Sequence, residues 1–82
     1  MRARVTVRLK SGVLDPQGET IERALLGLGF AGVKNVRVGK IVELDVAVEA
    51  GDAARVKAEL AAMADKLLAN PVIETYDVEV LG

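Results

Sequence analysis

The sequence contains no cysteine, histidine or tryptophan, and its only aromatic residues are Phe30 and Tyr76. These absences exclude disulfides and remove the usual ligands of zinc and copper. They also exclude cysteine nucleophiles and histidine acid-base pairs, and no base is evident near Ser11, the single serine. Two aromatic residues are too few to stack RNA bases. We therefore do not expect this chain to catalyse a reaction by itself.

The sequence also lacks a basic excess and a long hydrophobic run. The formal net charge is -1, whereas proteins that bind nucleic acids normally carry surplus lysine and arginine. No apolar segment has the length of a signal peptide or a membrane span. We expect a cytoplasmic protein whose partners include neither a nucleic acid nor a membrane.

The chain is short, and this limits its core. Its 82 residues, 51% of them apolar and 28% charged, are typical of one globular domain, which we assign to residues 1–82. A chain of this size buries only about 60% of the surface that its unfolded form exposes. Since disulfides and common metal sites are excluded, association with other chains is the remaining way to enlarge the core.

The first third of the sequence predicts a strand and a helix. Apolar residues alternate with polar ones at the start, as in a half-buried strand, and they are Ala3, Val5, Val7 and Leu9. Asp15 is a good N-cap for a helix that begins at Pro16 and runs to about Leu28, where Gly29 ends it. The helix carries one apolar stripe, which consists of Ile21, Ala24, Leu25 and Leu28.

The middle of the sequence is extended, and six of its apolar residues occupy even positions, namely Val36, Val38, Val42, Leu44, Val46 and Val48. A two-residue hairpin at Gly39-Lys40 would place Val36 opposite Glu43, which is unfavourable. Two arrangements keep the valines on one face. Either a three-residue loop 39–41 joins two strands, or one long strand bends at Gly39 and exposes an edge that another subunit can pair with.

The last third predicts a second helix and a final strand. Asp52 precedes the helix, whose apolar stripe is formed by Val56, Leu60, Met63 and Leu67. Asn70 suits a left-handed C-terminal position, and Pro71 cannot continue a helix, so the segment that follows begins as a strand.

The predicted fold class follows from the order strand, helix, strand, strand, helix, strand. We predict an α+β two-layer sandwich of βαββαβ order, related to the ferredoxin-like plan, with an antiparallel sheet and both helices on one face. In one of the two arrangements described above, the middle of the chain forms a long bent strand. The first strand is central in that plan, so Arg4 and Arg8 lie beside acidic residues of the neighbouring strands. These are Glu43, Asp45, Asp77 and Glu79. Mutual pairing on a solvated face explains these charges better than a ligand site does.

Two predicted loops contain side chains that are not needed to form the loops themselves. Gly39-Lys40 is not a phosphate-binding loop of the Walker type, because Lys34 and Ile41 stand where that motif needs glycine and Ser or Thr. Arg37 and Lys40 there could meet an anion, although a charged turn is the more ordinary explanation. The loop from Lys10 to Gly18 carries Val13 and Leu14, which either contact a partner or fold back over the helix start.

Three segments of the sequence resemble a known family. The segments "LKSGVLDPQGETIERALLGLGF", "VKNVRVGK" and "DKLLANPVIETYDVEV" are similar to the small PurS subunits of formylglycinamidine ribonucleotide synthase, and they occur in the same order. The resemblance covers nearly the whole chain. It is weakest between Val48 and Met63.

The resemblance implies a non-catalytic subunit of an ATP-dependent glutamine amidotransferase, which is a C–N ligase. Such subunits form homodimers or homotetramers and bridge a glutaminase subunit to a synthetase subunit, assisting ammonia transfer in purine biosynthesis. ATP and Mg would belong to the complex, with no cofactor or metal in this chain. The family's motif residues in this sequence are Lys10, Gly12, Val13, Leu14, Asp15, Pro16, Gln17, Gly18, Arg37, Gly39, Lys40, Leu67, Leu68, Asn70, Pro71 and Glu74.

We divide these residues by expected role. The side chains without an evident structural purpose are the candidates for partner contact, namely Val13, Leu14, Gln17, Arg37 and Lys40. The supporting residues are Lys10, Gly12, Asp15, Pro16, Gly18, Gly39, Asn70, Pro71 and Glu74. The alternative function is a ferredoxin-like regulatory module that binds a small molecule, which requires a concave pocket with convergent polar groups. A metallochaperone of the same plan is disfavoured because it would need thiolates.

Overall fold

The first strand is the centre of a small antiparallel sheet. The computed structural model describes residues 1–47 and 52–81, in which strands β1 (Arg2–Leu9), β2 (Gly39–Asp45) and β3 (Glu74–Val80) are ordered β2-β1-β3. Val5 faces Val42 on one side and Val78 on the other. Alternation along β1 places Ala3, Val5 and Val7 in the core, as the sequence predicts, and leaves Leu9 half-buried.

The opposite face of the sheet carries paired charges. Arg4 lies between Glu43 and Glu79, at 4.0 and 3.7 Å, and Arg8 lies 3.2 Å from Asp77. Arg2 adds contacts to Glu43 and Asp45. The predicted cross-strand pairing is confirmed, and because these side chains are substantially exposed, each pair contributes little to stability.

Helix α2 (Ala53–Met63) covers the inner face of the sheet and continues as a π-helical turn, Ala64–Leu68. The fully buried part of its surface consists of Val56, Leu60 and Ala64, which form one core cluster with Ala3, Val5 and Val7 of β1. The predicted stripe correctly includes Val56 and Leu60 but is wrong at Leu67, which is 83% exposed, whereas Leu68 packs on the core. The wide π turn, closed by the Ala69 N–H donating to the Ala64 carbonyl at 2.9 Å, keeps residues four apart on one face.

Helix α1 (Pro16–Gly27) ends as predicted but packs differently. Gly29 is left-handed at φ 101°, and the Phe30 N–H donates to the Leu25 carbonyl, which forms a Schellman motif. The fold class is confirmed: the chain is α+β with an antiparallel sheet and two helices. However, α1 makes only slight contact with any other helix or strand. The expectation that both helices cover one face therefore holds for α2 alone.

The predicted four-strand arrangement is also modified in the middle of the chain. The described residues contain a single strand in this region, β2, so the hairpin through Gly39-Lys40 is absent. The segment 33–38 leads into β2 without pairing in the sheet, because its Val36 and Val38 N–H groups donate to side-chain carboxylates. Val48, included in the predicted strand, lies outside the described residues.

The protein is elongated and thin. Its principal extents are 50 × 25 × 14 Å. The radius of gyration is 16.3 Å for 82 residues, whereas a compact domain of that length has about 12 Å. The difference arises because α1 extends away from the sheet instead of covering it.

Candidate docking surface

The three motif segments meet at one end of the sheet, where β1 ends and β2 and β3 begin. The Lys10 N–H donates to the Ile73 carbonyl at 2.8 Å, which joins the first loop to the turn before β3. The Arg37 guanidinium donates to the Lys10 carbonyl at 3.3 Å, which joins the lead-in of β2 to the same loop. We call this region, formed by residues 10–18, 36–40 and 70–74, the motif end.

Asp15 is the residue that holds the first two segments together. One carboxylate oxygen accepts from the Gly18 N–H at 2.8 Å and caps α1, as predicted, and the other accepts from the Val38 N–H at 2.8 Å. The side chain is buried at 5% exposure. The hydrogen bonds from Val38 and Gly18 lower the pKa of Asp15, with Arg37 contributing in the same direction, and they outweigh the opposing effect of desolvation.

Two glycines of the motif end are required by close backbone contacts. A Cβ on Gly18 would collide with the Val36 carbonyl oxygen, and a Cβ on Gly39 would lie 2.7 Å from the Val7 carbonyl oxygen. Gly12 has a different role, because it adopts φ +86° in the turn closed by Val13 N–H and the Lys10 carbonyl. These contacts place the loop, the helix start and the β2 lead-in in fixed relation.

The junction before β3 is a turn built on Asn70. Its side-chain oxygen accepts from the Val72 N–H at 3.1 Å, and its own N–H donates to the Glu74 carboxylate at 2.7 Å. The prediction of a left-handed Asn70 is wrong, since its φ is not positive and Ala69 already leaves the helix in an extended conformation. The side chain stabilises a turn after the helix instead of ending the helix itself.

The candidate contact residues differ in exposure. Leu14 is 67% exposed, and Gln17, Arg37 and Lys40 are exposed, whereas Val13 is half-buried. Val72 at 78% and Leu67 at 83% add exposed apolar surface near the same end. The sequence pattern did not predict that these two residues are exposed, and the residues before β3 show no alternation that would predict it for Val72.

Sequence reasoning also missed Glu22. Its carboxylate accepts from the Val36 N–H at 3.2 Å. Asp15 and Glu22 therefore bind the backbone N–H groups of Val38 and Val36, which a neighbouring strand would otherwise bind. The seven-residue spacing places both on one side of the helix start, but only the fold shows what they bind.

Across 1–47 and 52–81, no group of three metal-ligating side chains is positioned to hold an ion. The helices described are too short or too polar to cross a membrane. The hollows at the motif end are partly open to solvent, and they are lined by apolar as well as charged residues.

Comparison with known proteins agrees with the resemblance. Residues 2–82 match the PurS family, phosphoribosylformylglycinamidine (FGAM) synthase. The phosphoribosylformylglycinamidine synthase subunit PurS of Methanocaldococcus jannaschii is 47% identical over 79 residues, which cover 96% of this chain and 93% of that protein.

Solved structures give the same result. The crystal structure of M. jannaschii PurS, one of the subunits of formylglycinamide ribonucleotide amidotransferase in the purine biosynthetic pathway, matches with a TM-score of 0.80 and 44% identity over 95% of this chain and 92% of that one. A chain of PurLQS from Thermotoga maritima matches with a TM-score of 0.80 and 37% identity over 95% and 93%. The chain therefore belongs to the PurS family of phosphoribosylformylglycinamidine (FGAM) synthase.

Proposed function

We propose that this chain is the non-catalytic small subunit of FGAM synthase in purine biosynthesis. It acts in the cytoplasm as one domain, joins a glutaminase subunit to an ATP-dependent synthetase subunit, and assists ammonia transfer between them. ATP and Mg are used by the synthetase and not by this chain. The T. maritima PurLQS structure, in which a chain of this fold is part of a larger assembly, supports the role of a binding subunit.

The observation that carries the proposal is the pair of exposed apolar surfaces on a chain with a small core. One is the α1 stripe, where Ile21 is 38% and Leu28 is 74% exposed. The other is at the motif end, around Leu14 and Val72. Leu28 lies about 18 Å along the helix from its start, so the two surfaces can serve different partners, as a bridging subunit requires.

We assign the α1 stripe to a second copy of this chain. Burial of an apolar stripe that a helix otherwise exposes to water lowers the free energy of the protein. The chain's own sheet does not cover it, and the extended shape leaves room for a second copy to do so. A homodimer or homotetramer would then present more than one motif end to the catalytic subunits.

The bridging role is tested by mixing the purified chain with the glutaminase and synthetase subunits of the same pathway. Size-exclusion chromatography with and without Mg-ADP and glutamine should show one complex that contains all three proteins. Leu14→Asp should weaken that complex, because it places a charge on the apolar motif end. Ala54→Asp, at an exposed position of α2 outside both surfaces, should leave the complex intact. Separate elution of the three proteins in both conditions would contradict the proposal.

A further inference from the structure

A hollow on the charged face of the sheet is centred on Gly39. Gly39 pairs with Arg8 across the β1–β2 ladder, so the two residues project to the same face. The missing side chain leaves an opening whose sides are formed by Thr6, Arg8, Arg37, Lys40 and Ile41. We call it the Gly39 hollow. A side chain at this position would meet the Val7 carbonyl, so the strand pairing itself keeps the hollow open.

The charge of the Gly39 hollow is opposite to that of the chain as a whole. Three cationic residues, Arg8, Arg37 and Lys40, line it, and no acidic residue is among its lining residues in the described part of the chain. The net charge of the protein is -1. Three of the 11 lysine and arginine residues therefore lie around one hollow, and they attract an anion there although the protein as a whole is slightly acidic.

The three cationic groups retain free hydrogen-bonding capacity. Arg8 contacts Asp77 at 3.2 Å, and Arg37 donates to the Lys10 carbonyl at 3.3 Å. A guanidinium has five N–H donors, so one such contact leaves most of them available and also restricts the side chain's motion. Within residues 1–47 and 52–81, Lys40 forms no ion pair.

We propose that the Gly39 hollow binds the phosphate group of a small phosphate monoester. A phosphate carries more charge than a carboxylate and offers three oxygens, and the planar donor fork of arginine matches two of them at once. Arg8 keeps unused N–H donors beside its contact with Asp77, and a dianion interacts more strongly than a monoanion with three cationic groups. Ile41, which is 61% exposed at the rim, provides an apolar surface for the ester group.

The proposal is tested on the isolated full-length chain, and its failure would leave the bridging role untouched. Inorganic phosphate is titrated into ¹⁵N-labelled protein at constant ionic strength, with NaCl alone as the reference. We expect saturable shifts of the Gly39 and Ile41 amide signals. Phenyl phosphate should bind more tightly than inorganic phosphate, because its ring can contact Ile41. Weaker binding of the ester would contradict the assignment to a monoester.

Matched substitutions identify the cationic groups involved. Arg37→Gln should weaken phosphate binding by about tenfold or more, since it removes charge-assisted hydrogen bonds. Arg55→Gln, on α2 outside the hollow, removes the same charge and should change nothing. Lys40→Gln provides a second test if Arg37→Gln unfolds. Equal losses in Arg37→Gln and Arg55→Gln, or shifts that NaCl reproduces, would overturn the proposal.

Discussion

Asp15 is the residue on which the shape of the motif end depends. It is the buried acidic side chain of the described core, and both of its oxygens accept from backbone N–H groups. The sequence identifies it as a helix cap, which is correct but incomplete. Its second bond, to Val38, connects two segments that are far apart in the chain, and local sequence patterns contain no information about that bond.

Replacing Asp15 with asparagine should destabilise the protein. An amide can supply one acceptor oxygen, but its NH₂ group would face the second N–H donor, so one of the two hydrogen bonds is lost. We expect Tm to fall by about 4–8 °C, measured by circular dichroism. The control is Asp52→Asn, because Asp52 precedes α2 but makes no capping hydrogen bond with its side chain. An equal fall in Tm in both variants would contradict a stabilising role for the hydrogen bond between Asp15 and the Val38 N–H.

The same carboxylate should make stability depend on acidic pH. The pKa of Asp15 is lower in the folded protein than its ordinary value of 3.8, so folding favours the ionised form. This stabilisation is complete above the unfolded pKa and is lost as pH falls below 3.8 and through the folded pKa. Urea midpoints from pH 7 to pH 2.5 should therefore converge for wild type and Asp15→Asn in the acidic range. A difference that stays constant to pH 2.5 would contradict this assignment.

At the scale of the element, α1 contains a matched pair of glycines in different surroundings. Alanine normally stabilises a helix by about 0.5–1 kcal/mol relative to glycine, and Gly27→Ala should do so because nothing lies near its Cβ position. Gly18→Ala should instead destabilise by about 1–3 kcal/mol, because the new Cβ would collide with the Val36 carbonyl oxygen. Urea denaturation measures the free energy of unfolding of both variants. Stabilisation by Gly18→Ala would contradict the close packing of α1 on segment 36–38.

The π turn decides which of two adjacent leucines belongs to the core. Leu68→Ala should cost about 1–3 kcal/mol, since Leu68 packs on the core. Leu67→Ala should change stability by less than about 0.5 kcal/mol, since Leu67 is 83% exposed. Denaturant midpoints of the two variants measure this directly. The reverse order would mean that the helix continues with regular α-helical spacing, as the sequence pattern suggested.

On the scale of the whole molecule, the exposed α1 stripe predicts self-association. The double variant Ile21→Glu/Leu28→Glu should dissociate oligomers into monomers, weakening association by more than about a hundredfold, because two buried apolar contacts are lost per chain. Analytical ultracentrifugation over a range of concentrations measures the effect. Arg23→Glu changes the net charge by the same amount at an exposed position of α1 off the predicted stripe, and it should leave the oligomer unchanged. A wild-type protein that is monomeric at every concentration would exclude this use of the stripe.

The sequence by itself determined the features that depend on near neighbours in the chain. The alternation in β1, the start of α1 at Pro16 after Asp15 and its end before Gly29 require only contacts within a few residues, and they were predicted correctly. The motif residues were also sufficient to identify the family, because their order and spacing are directly readable.

Only the tertiary structure decided which surfaces are covered. An apolar stripe on a helix shows that something should bury it, but not whether the chain's own sheet does so, and here α1 extends away from the sheet. The π turn likewise places Leu68 rather than Leu67 on the core, a change of helix geometry that the apolar pattern of the sequence does not predict. The motif end exists as one surface because hydrogen bonds between distant segments, such as Lys10 to Ile73 and Asp15 to Val38, bring them together. Such bonds form only when the whole chain is folded, so no local pattern contains them.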